Sequence, residues 1–256
     1  MLFGICTSVT NAAIVKAAGW DYIEDNVQNL LQGLVPDEQW SPPEPASLPI
    51  VAANVLLPGT LKIVGPEVDK TLVIHYIRTV MERAQRVGIN KLVFGSGVAR
   101  NVPDGFDSRE AAQQIIRFAT MAAVHASYHD ITLVIEPLNR GECNIINSVA
   151  EAMEYVKGIN LPAFQCLVDS YHFWLEDEPL ENLRKAMPSI KHVHLADKDG
   201  RVAPGLSGQA DYRPFFRVLK AGGYDDTMSF EGKDMPDFAA TAPKVLDYIK
   251  REWEAA

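Results

Sequence analysis

Eight short apolar runs recur along the chain, and the segments between most of them have helical spacing; no other feature restricts the fold as much. The runs are LFGIC (2–6), YIEDN (22–26), IVAANVLL (50–57), KLVFGSG (91–97), TLVIEPL (132–138), FQCLVDSY (164–171), IKHVHLAD (190–197) and TMSFEG (227–232). Most are continuous rather than alternating, as expected of parallel strands covered on both faces. Between them, 69–88 carries apolar residues at helical spacing and stops at Gly88. Segment 107–130 opens with an Asp/Ser cap, 147–158 runs from Asn147 to Gly158, and 211–223 ends in two glycines. Only 26–49 breaks the rhythm, with a short amphipathic piece followed by the proline-rich loop SPPEPASLP.

Alternating strands and helices imply a parallel sheet, and eight units in 256 residues match a (β/α)8 TIM barrel spanning 1–256 as a single domain. The competing doubly wound open sheet would be expected to carry a GxGxxG turn after its first strand, and none is present. With 47% apolar residues the chain can bury a large core. A net charge of −9, spread along the chain, argues against nucleic acid or an anionic membrane surface as partner. The three cysteines, Cys6, Cys143 and Cys166, have neither zinc-ribbon nor CxxC spacing, which fits a reducing compartment. No apolar run approaches the roughly 18 residues that span a bilayer, and the N-terminus lacks the basic start of a signal peptide. The expectation is a cytoplasmic protein.

In a barrel the C-terminal ends of all strands meet at one mouth, where active sites sit. The fifth run ends at Glu136, the sixth at Asp169, the seventh contains His194 and the eighth ends at Glu231. Taken singly, a glutamate after a strand is ordinarily a solvated loop residue, and Asp169 before Ser170 reads as a helix cap. Taken together they are harder to explain without a cation. Two like charges about 4 Å apart in a site of effective dielectric near 20 cost about 4 kcal/mol. An oxygen-rich set with one nitrogen suits Mn²⁺ first, with Mg²⁺ or Co²⁺ as alternatives. Strand alternation puts His192 and His194 on one face. Glu24 and Asn54, at the ends of the second and third runs, are expected to face the mouth as substrate-binding groups. Phe173 or Trp174 would supply an apolar wall, and SPPEPASLP and PGLSG (204–208) are candidate covers for the site.

IEPLNRGECN, LVDSYH, HVHLAD…R…PGLSGQADY and SFEG together resemble the xylose-isomerase-like TIM-barrel superfamily, in its branch of ketose 3-epimerases and hydroxypyruvate isomerase. The resemblance implies that Glu136, Asp169, His194 and Glu231 are metal ligands, with Glu136 and Glu231 also acting as acid and base. It further implies that His172 polarises a substrate oxygen, that Arg201 corresponds to the arginine after the seventh strand, and that Glu142 hydrogen-bonds substrate near its reacting carbons. The implied activity is a divalent-metal-dependent isomerisation or epimerisation of a small ketose or keto-sugar derivative, through an enediolate. The partner is then a small-molecule sugar, and the family's habit implies a homodimer or homotetramer. A keto-sugar lyase or dehydratase could use the same centre. Phosphodiester cleavage would need more ligands and a basic face; a non-catalytic sugar binder would not need three convergent carboxylates.

Overall fold

Eight β-strands form in the computed structural model, which describes residues 1–233 and 235–256. They are β1 (Leu2–Cys6), β2 (Tyr22–Asn26), β3 (Ile50–Asn54), β4 (Lys91–Phe94), β5 (Thr132–Ile135), β6 (Phe164–Asp169), β7 (Ile190–Leu195) and β8 (Thr227–Phe230). Each pairs in parallel with its neighbours in chain order, and β1 pairs with β8, closing the barrel. All eight expected strands are present at the expected places. Several stop before their sequence runs do, always at the C-terminal end. At β3 the cause is Val55, whose φ of 53° turns the chain out of line after Asn54. At β4 it is Ser96, with φ of 44°, leading into the short helix Gly97–Arg100. At β6 the Asp169 carboxylate accepts from Tyr171 N at 2.7 Å and starts the helix Ser170–Leu175.

The outer layer follows the expected helices closely. Lys70–Val87 ends on Gly88, whose φ of 88° is the left-handed cap that glycine adopts without strain. Ser108–Ser127 is capped by Asp107. Two boundaries differ. The sixth-strand crossover helix is Val149–Ile159, capped by Ser148 and closed by Asn160 in the left-handed region, so Gly158 lies inside it. Asn147 is not its cap; its side chain donates to Leu138 O and Cys143 O, each at 2.7 Å, and braces the loop after β5. Among the described residues no helix is long and apolar enough to cross a membrane.

Inside the barrel, side chains two apart along each strand face the lumen. Val93, Val134 and Leu167, from three consecutive strands, form a buried apolar cluster separate from the outer core. Tyr22 Oη meets Ser229 Oγ at 2.7 Å although β1 lies between their strands, so the bond crosses the lumen. Glu136, Asp169 and Glu231 each lie two residues beyond a lumen residue: Val134, Leu167 and Ser229 respectively. The strands therefore lift the polar set onto the rim.

Gly4 faces Tyr22 in register, and a Cβ at this position would come within 2.2 Å of the ring. A Gly4→Ala substitution should overpack the lumen, costing about 1–3 kcal/mol. Thermal unfolding followed by circular dichroism should show a midpoint lowered by roughly 2–10 °C; an unchanged midpoint would contradict this packing.

Candidate metal and active site

One ligand atom each from Glu136, Asp169, His194 and Glu231 lies within 4.8 Å of the other three. His194 Nδ1 is 3.2 Å from Glu136 Oε1 and 3.4 Å from Glu231 Oε2. Register helps assemble the set: His194 lies beside Asp169 on one side and Ser229 on the other, two residues short of Glu231. Gly95 makes room for Glu136, because a Cβ on it would stand 2.2 Å from Glu136 Oε2. This glycine of the KLVFGSG run thus clears space for a carboxylate.

The electrostatics match a crowded anionic centre. Burial, with the Glu231 charge beside it, raises the pKa of Glu136. Burial pushes Asp169 up to about 6, with Glu231 adding and Arg201 opposing. Burial would also raise Glu231, but His194 and Arg201 outweigh it and hold its carboxyl at about 2. His194 is held well above the usual imidazole range against the effect of burial, by Glu24 and Glu231. Positive charge on His194 and Arg201 thus stands where a cation would. The donor chemistry fits a divalent ion: three carboxylates and one imidazole nitrogen, oxygen-rich and free of thiolate. Asp169 Oδ2 strengthens the fit, being buried without a hydrogen-bond partner. Such an orphaned atom costs about 1–3 kcal/mol unless something satisfies it.

His172 has its own orphaned atom, Nε2, which lies 3.7 Å from Asp169 Oδ2. The backbone N–H of Asn139 donates to His172 Nδ1 at 3.1 Å, so the neutral ring carries its proton on Nε2, aimed into the site. Burial lowers the pKa of this histidine and favours that neutral form. The Asn139 amide also donates to Glu142 Oε1 at 2.9 Å, so one asparagine orients two candidate substrate-binding groups. In the sequence Asn139 is distinguished only by its place in the IEPLNRGECN motif. Arg201 adopts a φ of 53° and places its guanidinium 2.8 Å from Glu231 Oε2, 3.3 Å from Glu142 Oε1 and over the Tyr171 ring.

Other expectations change position. Asn54 reaches the site, but its amide donates to Glu231 Oε1 at 2.8 Å. Glu24 does not face the mouth. It is fully buried below the rim, accepting from His192 Nε2 at 2.8 Å and His194 Nε2 at 2.9 Å. Phe173 packs on Phe215 and Trp174 on Tyr212, and neither is among the residues that line the cavity beside the ligand set. Val55 and Leu138 are the apolar walls of the cavity of roughly 530 Å³ that Glu136, Glu142, Arg201 and Glu231 also line. PGLSG is pinned: Asp197 accepts from Gly205 N, Ser207 N, Ser207 Oγ and Tyr212 Oη. SPPEPASLP leads away from the mouth, since Pro49 O accepts from Ile23 N near the start of β2.

A closed parallel barrel with this rim defines a class, and the family comparison agrees. The model of the xylose isomerase-like TIM barrel family matches residues 12–252, so the chain belongs to that family. Among curated proteins it is 35% identical over 100 residues to 3-dehydro-D-guloside 4-epimerase of Escherichia coli, covering 39% of this chain and 37% of that one. It is 26% identical over 132 residues to ketose 3-epimerase of Arthrobacter globiformis, covering 51% and 45%. The matched stretches thus span half or less of these relatives. Among solved structures, 3-keto-D-glucoside 4-epimerase from E. coli superposes with a TM-score of 0.81 at 21% identity, covering 98% of this chain and 99% of that one, a likeness of fold.

Gly95→Ala should displace the Glu136 carboxylate while leaving the barrel folded. Mn²⁺ affinity, measured by competition with a fluorescent chelator, should fall at least about tenfold, with the far-ultraviolet dichroism retained. Undiminished affinity would contradict the assigned fit.

Proposed function

We propose that the chain is a divalent-metal-dependent epimerase or isomerase of a small ketose or keto-sugar derivative, with manganese as the first candidate ion. The observation that carries this reading is the convergence of Glu136, Asp169, His194 and Glu231, with Asp169 Oδ2 buried and unpartnered. Relatives that are ketose 3-epimerase and 3-dehydro-D-guloside 4-epimerase support the choice of reaction and substrate class. Bound at this set, a divalent ion supplies a Lewis acid that stabilises negative charge on substrate oxygens.

The chain's own residues account for the rest. Glu136 and Glu231 come from non-adjacent strand ends and line one cavity, so a sugar between them presents opposite faces to two carboxyl groups. One removes the proton beside the carbonyl and the other returns a proton to the enediolate. His172 donates from Nε2, and the Arg201 guanidinium supplies positive charge, at the oxygen where negative charge develops. Glu142, oriented by Asn139, accepts from a neighbouring hydroxyl. Val55 and Leu138 take the apolar C–H surface of the sugar.

Incubating the Mn²⁺-loaded protein with ketoses, 3-keto-glycosides and their phosphates in D₂O should give deuterium at one substrate carbon, read by NMR. Glu136→Gln and Glu231→Gln should each lower exchange by about 10²–10⁴-fold, and removal of the metal by a chelator should abolish it. Exchange that persists in both variants excludes the two-carboxylate reading. A product that has lost water or another group would instead assign a lyase.

A further inference from the structure

Beneath the rim, Glu24, His192, His194 and Thr227 form a buried polar chain that none of the substrate-facing roles uses. Glu24 gives one carboxylate oxygen to each histidine: Oε2 to His192 Nε2 at 2.8 Å and Oε1 to His194 Nε2 at 2.9 Å. His192 Nδ1 in turn lies 2.7 Å from Thr227 Oγ1 and 3.0 Å from Thr227 O. Glu24, His192 and His194 are fully buried, and Thr227 is nearly so. The Glu24 contacts cross the lumen, because β2 and β7 are not neighbours in the barrel.

Such a chain is an expensive way to fill a lumen. Desolvating a charge costs several kcal/mol, and an apolar group of similar volume often serves stability better. The same lumen is filled at Val93, Val134 and Leu167 with apolar side chains. Polar groups occur where the lumen meets His194, and the geometry there does one specific thing. An imidazole with a single proton places it on the nitrogen that faces an acceptor, and a carboxylate can only accept. Once a cation takes the place of the proton on Nδ1, the one proton left on His194 is held on Nε2 by Glu24, 2.9 Å away, and the Nδ1 lone pair is free toward the space between Glu136 and Glu231. Because both of its oxygens are engaged, Glu24 cannot turn away without breaking two buried bonds.

We propose that Glu24 is a positioning residue that fixes the orientation and tautomer of His194 for metal ligation through Nδ1, with His192 and Thr227 holding Glu24 in place. The proposal rests on the metal reading above and adds to it a residue outside the ligand set. It also accounts for a fully buried carboxylate in the middle of β2. Glutamine is the informative replacement. It preserves shape, but its amide can donate to His194 Nε2 and so permit the tautomer protonated on Nδ1, which cannot ligate.

The test is the affinity of the full chain for Mn²⁺ alone, without substrate, by competition with a fluorescent chelator. The wild-type chain should bind one ion, and Glu24→Gln should bind about 10–100-fold more weakly. The ¹⁵N spectrum of histidine-labelled, Zn²⁺-loaded wild-type protein should show His194 protonated on Nε2; a purely structural role for Glu24 would not require that form. Affinity within twofold of wild type in Glu24→Gln, or a His194 ligated through Nε2, overturns the proposal while leaving the metal reading intact. A wild-type chain that binds no divalent ion overturns both. If Glu24→Gln does not fold, Thr227→Val decides. Losing the hydroxyl that holds His192 should weaken Mn²⁺ binding at least about threefold, and unchanged affinity would refute the proposal.

Discussion

Mutual repulsion among three carboxylates at the barrel rim is the constraint around which the rest is arranged. Closure of eight parallel strands brings Glu136, Asp169 and Glu231 together with His194, with ligand atoms within 4.8 Å of one another. Strand pairing cannot relax that crowding, since the side chains are fixed by register. Positive charge must be supplied, and the chain supplies part of it: Arg201 contacts Glu231, and Glu24 and Glu231 hold the pKa of His194 well above the usual imidazole range against burial. What remains is Asp169 Oδ2, which has no hydrogen-bond partner among the described residues, the Arg201 guanidinium coming no nearer than 3.8 Å. An unfilled demand of this kind is tolerated at functional sites and seldom elsewhere.

Supporting residues extend this logic outward. Arg100 is fully buried yet its guanidinium reaches backbone carbonyls, donating to Phe94 O at 3.1 Å and Glu136 O at 2.8 Å. It ties the ends of β4 and β5 together where Gly95 and Glu136 must approach closely. Asn139 fixes His172 and Glu142, Asn54 holds the free side of Glu231, and Asp197 anchors the loop beyond β7. At the opposite end, Lys91 pairs with Asp226 at 2.7 Å, and no comparable cluster forms there among the described residues. Stability and chemistry are thus assigned to different ends of one barrel, as the architecture allows.

Much of this was legible in the sequence. Continuous apolar runs separated by helical periodicity were enough for eight strands, because parallel strands buried on both faces leave no other pattern. Their C-terminal limits were less legible, since Val55 and Ser96 end strands by adopting positive φ, which residue type does not announce. The rim set could be read because a carboxylate at a strand end is visible and its direction follows from closure. Depth was not visible. Glu24 was expected at a strand end like Glu136, yet it sits in the middle of β2 and bonds to both barrel histidines below the rim. Asn139 and Gly95 escaped notice as individual residues because an asparagine in a loop and a glycine in a turn have many ordinary uses. The ring contacts that turn Phe173 and Trp174 away from the cavity depend on packing partners more than 30 residues away, which local pattern does not reveal.

Crystals of the protein soaked in Mn²⁺, with data collected for manganese anomalous scattering, test the central claim most directly. The account predicts one strong anomalous peak bounded by Glu136, Asp169, His194 Nδ1 and Glu231, each within about 2.5 Å, with Asp169 Oδ2 among the contacts. A peak lying elsewhere, or none at this rim under saturating metal, would contradict it.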